Sequence, residues 1–298
     1  GRRHCFVHDF DVGFDKTGRV MGAQVDMISR AGFSADLSAP VMTRALCHFD
    51  NAYYLPAVDL HGYCARTNTQ SNTAFRGFGG PQGALAIELI LDSVARQLGQ
   101  DPLDVRLANL YGITDRNTTP YGQHVEDNVL RPLLDQLVAS SDYRARRASL
   151  EAFNASSPVL KKGLALTPLK FGISFNVVHL NQAGALVHIY NDGSILINHG
   201  GTEMGQGLNT KVAQMVAHTL GVRMERVRVT ATDTSKVVNT SATAASTGSD
   251  LNGKAAADAA QQILSRLVRM LADKHQVAEQ AIRFQDDQVC VAEQVLRF

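Results

Sequence analysis

No C-x-x-C pair occurs anywhere in this sequence. Its four cysteines, Cys5, Cys47, Cys64 and Cys290, are scattered, which argues against a zinc site and against the disulfide framework of a small secreted domain. An excess of either charge is missing too. The net charge is +1, so no long-range field draws the chain to nucleic acid or to an anionic membrane. No apolar run is long enough to span a bilayer, and the first residues lack the apolar stretch of a signal peptide. These absences predict a soluble, cytoplasmic, globular protein. What is present is enough apolar chain, 45% of 298 residues, to bury one large core or two moderate ones. Both ends read as cut. The chain enters a strand-like alternation just after G-R-R-H and ends in V-L-R-F with no polar tail, the pattern of a segment of something longer.

Periodicity predicts an α+β fold in two subdomains. His8, Phe10, Val12 and Phe14 alternate with smaller or polar residues, D-K-T-G turns the chain, and a second extended run follows, so a β-hairpin is expected with its turn at 15–18. Residues 38–53 have mixed periodicity and read as a short helix. Leu85, Ile87, Leu89, Ile90, Leu91, Val94 and Leu98 make a broad apolar face, with Pro81 at the start and Gly99 where a C-cap belongs, so a largely buried helix is expected. D-P-L-D at 101–104 opens another helix, capped by its aspartate. Two short helices then lead to A-S-S-P at 155–158, the best internal boundary, giving subdomains 1–157 and 158–298. Beyond it, 169–179 reads as a strand and 185–190 with 194–199 as a hairpin across N-D-G. Helix 208–220 stops at Gly221, a strand is expected at 226–232, and a long helix from Gly253 to Lys274. A last hairpin turns at Asp286-Asp287.

Three segments lack side-chain bulk: 77–80, 200–207 and 240–250. Glycine and small hydroxyls let backbone N–H groups approach an anion closely, and a following helix adds favourable potential. Neither familiar nucleotide motif fits. A P-loop needs lysine and a hydroxyl after its last glycine, where this chain has G-G-P-Q. A Rossmann fingerprint needs its glycines inside a βαβ unit with an acidic residue about 20 residues on. Each loop alone is an ordinary tight turn; three with polar groups in one chain favour a ligand. Gln206 can both donate to and accept from a ligand, and Glu203 reads as a cap on the helix after it. Phe78 and Phe175 are candidates for a flat-ligand slot, although core packing is the usual fate of a phenylalanine. Arg44, set among Met42, Ala45 and Leu46, is either a buried structural arginine or a reader of ligand carbonyl oxygens.

Taken together, S-N-T-A-F-R-G-F-G-G-P-Q-G, K-F-G-I-S-F, L-N-Q-A-G-A-L, H-G-G-T-E-M-G-Q-G and T-A-A-S resemble, in order and spacing, the molybdenum-binding part of the molybdenum hydroxylases, the xanthine dehydrogenase/aldehyde oxidase family. The resemblance covers essentially the whole chain. It implies two molybdopterin-binding subdomains with mixed sheets and packed helices: 1–157 the C-terminal part of the first, 158–298 the N-terminal part of the second. It implies a molybdopterin cofactor contacted by the loop Phe75, Arg76, Gly77, through the Arg76 backbone and with the Phe75 ring as an anchor into the core. Met204, Gly205 and Gln206 would contact the same cofactor, as would Ala244, Ala245 and Ser246. No protein side chain would ligate the metal, since the pterin dithiolene holds it. Phe78 and Phe175 would flank a purine, Asn176 would stand in the substrate pocket where animal enzymes tend to carry threonine, and Arg44 would orient the substrate and steady charge developing on it. Aldehyde oxidases generally lack that arginine, so Arg44 favours a purine.

By the same resemblance the parent protein hydroxylates hypoxanthine and xanthine to urate, as a dimer, with FAD and 2Fe-2S clusters on a partner subunit or an upstream region. The family's general base, a glutamate in a G-E-P-P-like motif, does not occur in this sequence, and neither does a second pocket glutamate from a G-G-K-E stretch. The segment alone is therefore expected to be inactive. Two alternatives stand beside this reading: a hydroxylase of aldehydes or other N-heterocycles, and a non-catalytic assembly module.

Overall fold

The structure, a computed structural model, describes residues 1–175, 177–236 and 240–298. They form two compact units, Gly1–Gly172 and Ile173–Phe298, so the stretch 158–172 is compact with the first unit. Organisation is α+β in both.

The first unit opens with β1 (Phe6–Phe14) and β2 (Val20–Gly32) as an antiparallel hairpin. Asp15 closes its turn by accepting from the N–H groups of Thr17 at 2.8 Å and Arg19 at 3.1 Å, as aspartate does in such turns. The chain then runs through α1 (Ser38–Cys47) into β3 (Val58–Arg66), which pairs parallel to β2. Val20 and, beyond the register shift in the hairpin, the alternate residues Ala23, Val25 and Met27 of β2 are buried in one core with Ile87, Ile90, Leu91 and Val94. Those last four belong to α2 (Gly80–Leu98), which carries Pro81 in its first turn and ends on a left-handed Gly99. Next, α3 (Pro102–Asn109) has the expected cap, the Asp101 carboxylate accepting from the Leu103 N–H at 2.8 Å. Helices α4 (Leu130–Ser140) and α5 (Tyr143–Ser156) complete the regular structure of this unit.

The second unit repeats that order. Strands β4 (Ala185–Ile189) and β5 (Ile195–His199) form an antiparallel hairpin, α6 (Leu208–Leu220) follows, and β6 (Val227–Val229) returns parallel to β5. A π turn at Gly248–Asn252 leads into α7 (Gly253–His275). Val187, Ile195 and Ile197 pack with Val212, Val216 and Leu220 to make the core. A three-stranded antiparallel meander ends the chain: β7 (Ile282–Gln285), β8 (Gln288–Val291) and β9 (Gln294–Arg297). Its first turn is made by Asp286 and Asp287, both at positive φ.

Two sequence expectations are corrected. The described residues of 169–179 form no strand: they run irregularly and lead into a 3-10 turn at Val178–Leu180. Its N–H groups at Lys170, Gly172 and Phe175 donate to side chains, those of Asn51, His48 and Asn181, leaving no ladder for a neighbouring strand. The strand expected at 226–232 pairs only over Val227–Val229, with the Thr230 N–H adding one bond to Ile197 at 3.0 Å.

Candidate functional site

In the first unit the loop before α2 turns on three successive left-handed residues, Gly77, Phe78 and Gly79. For phenylalanine that region costs of order 1–2 kcal/mol, and such strain gathers where a conformation serves a site. A Cβ on Gly79 would lie 2.0 Å from the Val41 carbonyl oxygen, and one on Gly83 2.2 Å from that of Ala45. These two glycines let the start of α2 lie against the backbone of α1. Bareness that reads in the sequence as access for an anion is here used in large part by helix packing. Phe75 does not anchor the loop in the core; it is 54% exposed. Its ring lies 4.4 Å from the guanidinium carbon of Arg3, whose Nη2 donates to the Arg76 carbonyl at 2.6 Å. The loop is therefore steadied from outside, by a cation over a ring and on a carbonyl.

Arg44 lies in the last turn of α1 and is buried. Its guanidinium stands 4.9 Å from the centre of the Phe171 ring, and Nη2 donates to the Gly172 carbonyl. Burial lowers its pKa from the ordinary value, and a guanidinium keeps its charge in proteins. His48, one turn later, connects to both partners. Its Nδ1 lies 2.9 Å from the Arg44 carbonyl oxygen, and its Nε2 accepts from the Gly172 N–H at 3.1 Å. That assigns a neutral ring with its proton on Nδ1, and burial lowers its pKa from the usual imidazole value. The 168–172 stretch is held at two more points. Lys170 donates through Nζ to Asp50 at 2.6 Å and through its N–H to Asn51 at 3.0 Å, and the Asn51 amide donates to the Pro168 carbonyl at 3.0 Å. Beneath them Glu88 accepts from Asn51, Tyr53 and the buried Arg106. A charge buried at that depth is stable only with its hydrogen bonds filled.

In the second unit the loop between β5 and α6 is organised by three of its own residues. His199 accepts from the Gly201 N–H at 3.0 Å and donates from Nε2 to Asn209 at 3.1 Å. Glu203 accepts from the N–H groups of Gly205, Gly207 and Asn209, so it caps α6 as expected, and those bonds, that from Asn209 first, hold its pKa below the ordinary value. Gln206 folds back on the loop, its Oε1 accepting from the Met204 N–H at 2.5 Å and its Nε2 donating to the Thr202 carbonyl at 2.8 Å. Met204 is largely exposed. Gly205 and Gly207 have φ of +92° and +74°, yet a Cβ at either would meet nothing within 4 Å among the described residues.

Two further strands of contact join the remaining candidates of this unit. The Thr202 N–H donates to Thr243 Oγ1 at 2.8 Å, and the Ser174 N–H to the Ala245 carbonyl at 2.9 Å. Asn181 grips Phe175 by both main-chain atoms, each bond 2.8 Å long. Loop 199–207, segment 243–246 and Phe175 are thus brought together. Ala245 and Ser246 sit at φ +52° and +59°, a pair of adjacent left-handed non-glycine residues that is strained on the scale already given. Asn176, named as a substrate residue, lies outside the described residues.

The candidates fall into one set per unit: Arg44, Arg76, Gly77 and Phe78 in the first, Phe175, Met204–Gln206 and Ala244–Ser246 in the second. The N–H groups of Arg76, Gln206, Ala245 and Ser246 donate to no atom among the described residues. Arg3, His48, Lys170, Asn181 and His199 are organisers that the sequence reading did not single out. His48 alone had a legible signal, its i+4 spacing from Arg44 on a helix. No cluster among the described residues has the makings of a metal site, and no helix there is long and apolar enough to cross a membrane.

Within each unit, main-chain donors of this kind in a loop ahead of a helix suit the oxygen atoms of a ligand. Residues 1–110 and 136–298 match two models of the molybdopterin cofactor-binding domain. The chain belongs to that family of molybdenum hydroxylase domains. Among similar proteins, the xanthine dehydrogenase/oxidase of Gallus gallus is 48% identical over 267 residues, covering 90% of this chain and 20% of that protein. The nicotinate hydroxylase of Emericella nidulans is 46% identical over 269 residues, with the same two shares, 90% and 20%. Quinoline 2-oxidoreductase from Pseudomonas putida 86 shares the fold, with a TM-score of 0.77 at 23% identity over 96% of this chain and 38% of that one. This chain spans about a fifth of the length of the curated relatives it matches.

Proposed function

We propose that this chain is the purine-facing and cofactor-facing part of a cytoplasmic xanthine dehydrogenase, which hydroxylates hypoxanthine and xanthine to urate. The observation that carries the purine reading is Arg44, a buried cation aimed by a carbonyl and a ring rather than left to solvent. Identity near half to a xanthine dehydrogenase/oxidase supports it.

In each turnover a ring C–H becomes C–OH with oxygen from water, and two electrons and two protons leave. The molybdenum cofactor, when bound, supplies the two-electron acceptor. The residues of this chain bind and orient. Main-chain N–H groups of Arg76, Gln206, Ala245 and Ser246 and the Gln206 amide hold the cofactor, with Phe75, Gly77, Met204, Gly205 and Ala244 in the same loops. Phe78 and Phe175 flank the flat ring, and Asn176 stands beside it. Arg44 donates to the purine oxygens and stabilises negative charge as it develops there, the kind of preorganised electrostatic contact that lowers a barrier most. The general-base glutamate, a second pocket glutamate, the FAD and the 2Fe-2S clusters belong to other parts of the parent protein or to a partner subunit, and the parent is a dimer. On this reading the family's subdomains are 1–157 and 158–298 of the sequence, although the stretch 158–172 is compact with the first unit.

A second reading is favoured by one comparison, the nicotinate hydroxylase that is 46% identical: another N-heterocycle would fill the same slot. The test is turnover of the full-length enzyme on xanthine, nicotinate and an aromatic aldehyde, before and after Arg44→Ala. The purine reading expects xanthine to be the preferred substrate and to lose about 100-fold or more in kcat/KM. Preference for nicotinate or the aldehyde, or an unchanged xanthine rate in the variant, would sink it. Residues 1–298 alone should show no turnover with xanthine and a dye acceptor.

A further inference from the structure

We infer that His48 is a positioning residue for Arg44, holding the Gly172 peptide whose carbonyl sets the direction of the guanidinium. The inference rests on the purine-orienting role proposed for Arg44.

Three bonds make a closed circuit. The Arg44 carbonyl takes the proton of His48 Nδ1, His48 Nε2 takes the N–H of Gly172, and the Gly172 carbonyl takes Nη2 of Arg44. A core histidine needs only to satisfy its two nitrogens, and many partners would do. Here both partners lead to one side chain: the first is the main chain of Arg44, the second is the peptide that Arg44 grips. The Phe171 ring joins the arrangement from within the same segment, 5.1 Å from the His48 ring and 4.9 Å from the Arg44 guanidinium carbon. Helix α2 closes the remaining side with glycine: a Cβ on Gly80 would lie 2.7 Å from the Phe171 ring and 3.5 Å from His48 Cδ2. A side chain there would displace the Phe171 ring and lie in contact with His48, so glycine leaves that ring its place in the slot.

Only the neutral imidazole with its proton on Nδ1 completes the circuit, because an imidazolium has no lone pair to offer Gly172. The groups that face His48 keep it in that form. Arg44 on α1 and Lys170 on the 168–172 stretch are cations that oppose a third charge. Asp50, in the turn after α1, is engaged by Lys170 and Tyr111, Cys47 lies beside it with its thiol pKa raised by burial, and α2 contributes glycine backbone.

The experiment uses the full-length enzyme carrying its cofactor, as wild type, His48→Leu, His48→Gln, Arg44→Ala and the Arg44→Ala/His48→Leu double variant. Four quantities are read: kcat/KM on xanthine, kcat/KM on benzaldehyde, equilibrium binding of uric acid, and thermal unfolding with molybdenum content. Misplacing a substrate-orienting group by about 1 Å costs on the order of 100-fold. His48→Leu should therefore lower kcat/KM on xanthine by roughly 10- to 100-fold and weaken uric acid binding by about 10-fold, while benzaldehyde, which needs no guanidinium, changes less than about 2-fold. His48→Gln, whose amide can accept from Gly172, should recover most of the loss. In the Arg44→Ala background, His48→Leu should cost nothing further on xanthine, the non-additivity expected of residues acting as one unit. Equal losses on both substrates, or full additivity in the double variant, would overturn the inference. If His48→Leu does not fold, the ring-sized His48→Phe, which offers Gly172 no acceptor, takes its place alone and combined with Arg44→Ala: a purine-selective loss that vanishes in the Arg44→Ala background supports the circuit, and no loss, an equal loss or an additive one overturns it. Failure of the purine reading itself shows separately, as an Arg44→Ala single variant with wild-type activity on xanthine.

Discussion

The two units share one plan and use glycine differently within it. Each builds a hairpin, a helix, a parallel third strand and a long helix. The first glycine-rich loop lies between β3 and α2, and its topological counterpart is the segment between β6 and α7, rich in alanine, serine and threonine. The second glycine-rich loop, between β5 and α6, corresponds to the turn between β2 and α1. Both connections into the long helices carry left-handed residues, Gly77 to Gly79 in one and Ala245 with Ser246 in the other. In the first unit glycine is demanded by packing, since Gly79 and Gly83 stand against the α1 backbone. At Gly205 and Gly207 it is demanded by φ, with no neighbour to strike among the described residues. Similar composition therefore conceals two different constraints, contact added to conformation in one loop and conformation in the other.

Substitutions that separate these constraints should do so by size of effect. Gly79→Ala forces a methyl to 2.0 Å from a carbonyl oxygen at φ +102°, and is expected to cost more than about 4 kcal/mol; loss of the cooperative unfolding transition of the first unit, followed by heat or urea, checks it. Gly207→Ala meets open space at φ +74° and should cost only about 1–2 kcal/mol. A cost at Gly207 equal to that at Gly79 would abolish the distinction.

The polar anchors differ in the same sense. Glu88→Ala strips one of two carboxylate partners from Arg106, which is 2% exposed and keeps Asp92 at 2.7 Å, and leaves Tyr53 and Asn51 short of an acceptor, so it should destabilise the first unit by about 3 kcal/mol. In the second unit Asp287 pairs with Arg223 and Arg226, and Arg223 is largely open to water, so Asp287→Asn should cost clearly less in the same urea titration.

His48 and His199 then test the units together. Burial lowers both pKa values from the ordinary 6.5. The unfolded chain therefore binds more protons below that value, so stability is full above it and falls as pH drops through the folded pKa. The urea midpoint should decline from about pH 7.5 to about pH 5.5, and His48→Gln and His199→Gln should each flatten part of that slope. Smallest of all is Glu203→Gln, which removes a charge but leaves an acceptor. It should raise hydrogen exchange at Gly205, Gly207 and Asn209 with little change in global stability, and unchanged exchange there would remove Glu203 as the organiser of that loop.

Much of the fold was legible because its elements carry strong local signals. The D-K-T-G and N-D-G turns, the Asp101 cap, Gly99 and Gly221 all lie where residue type predicts. Strand β3 was not read, since V-D-L-H-G-Y-C-A-R is exposed along most of its length and its alternation lasts only four residues, Val58 to His61, before Gly62. The 169–179 stretch misled for the opposite reason: its apolar residues read as a strand, while the side chains of Asn51, His48 and Asn181 accept from its N–H groups at Lys170, Gly172 and Phe175. At the site, Glu203 as a cap and Arg44 as a buried cation followed from neighbours in sequence. Phe75 as an anchor did not hold, because a stacked Arg3, far away in the chain, takes the place of the core.

By itself the sequence determined the turns, the caps, the helices, the glycine positions and the order of motifs that marks the family. Each depends on a residue and its near neighbours, through φ preference, capping geometry and period. Only the tertiary structure decided what those residues touch: Gly79 on Val41, Gln206 on its own loop, and above all His48 on Gly172. Those contacts join positions as much as 124 residues apart, and a hydrogen bond across such a distance is fixed by how the helices pack, which no local pattern encodes.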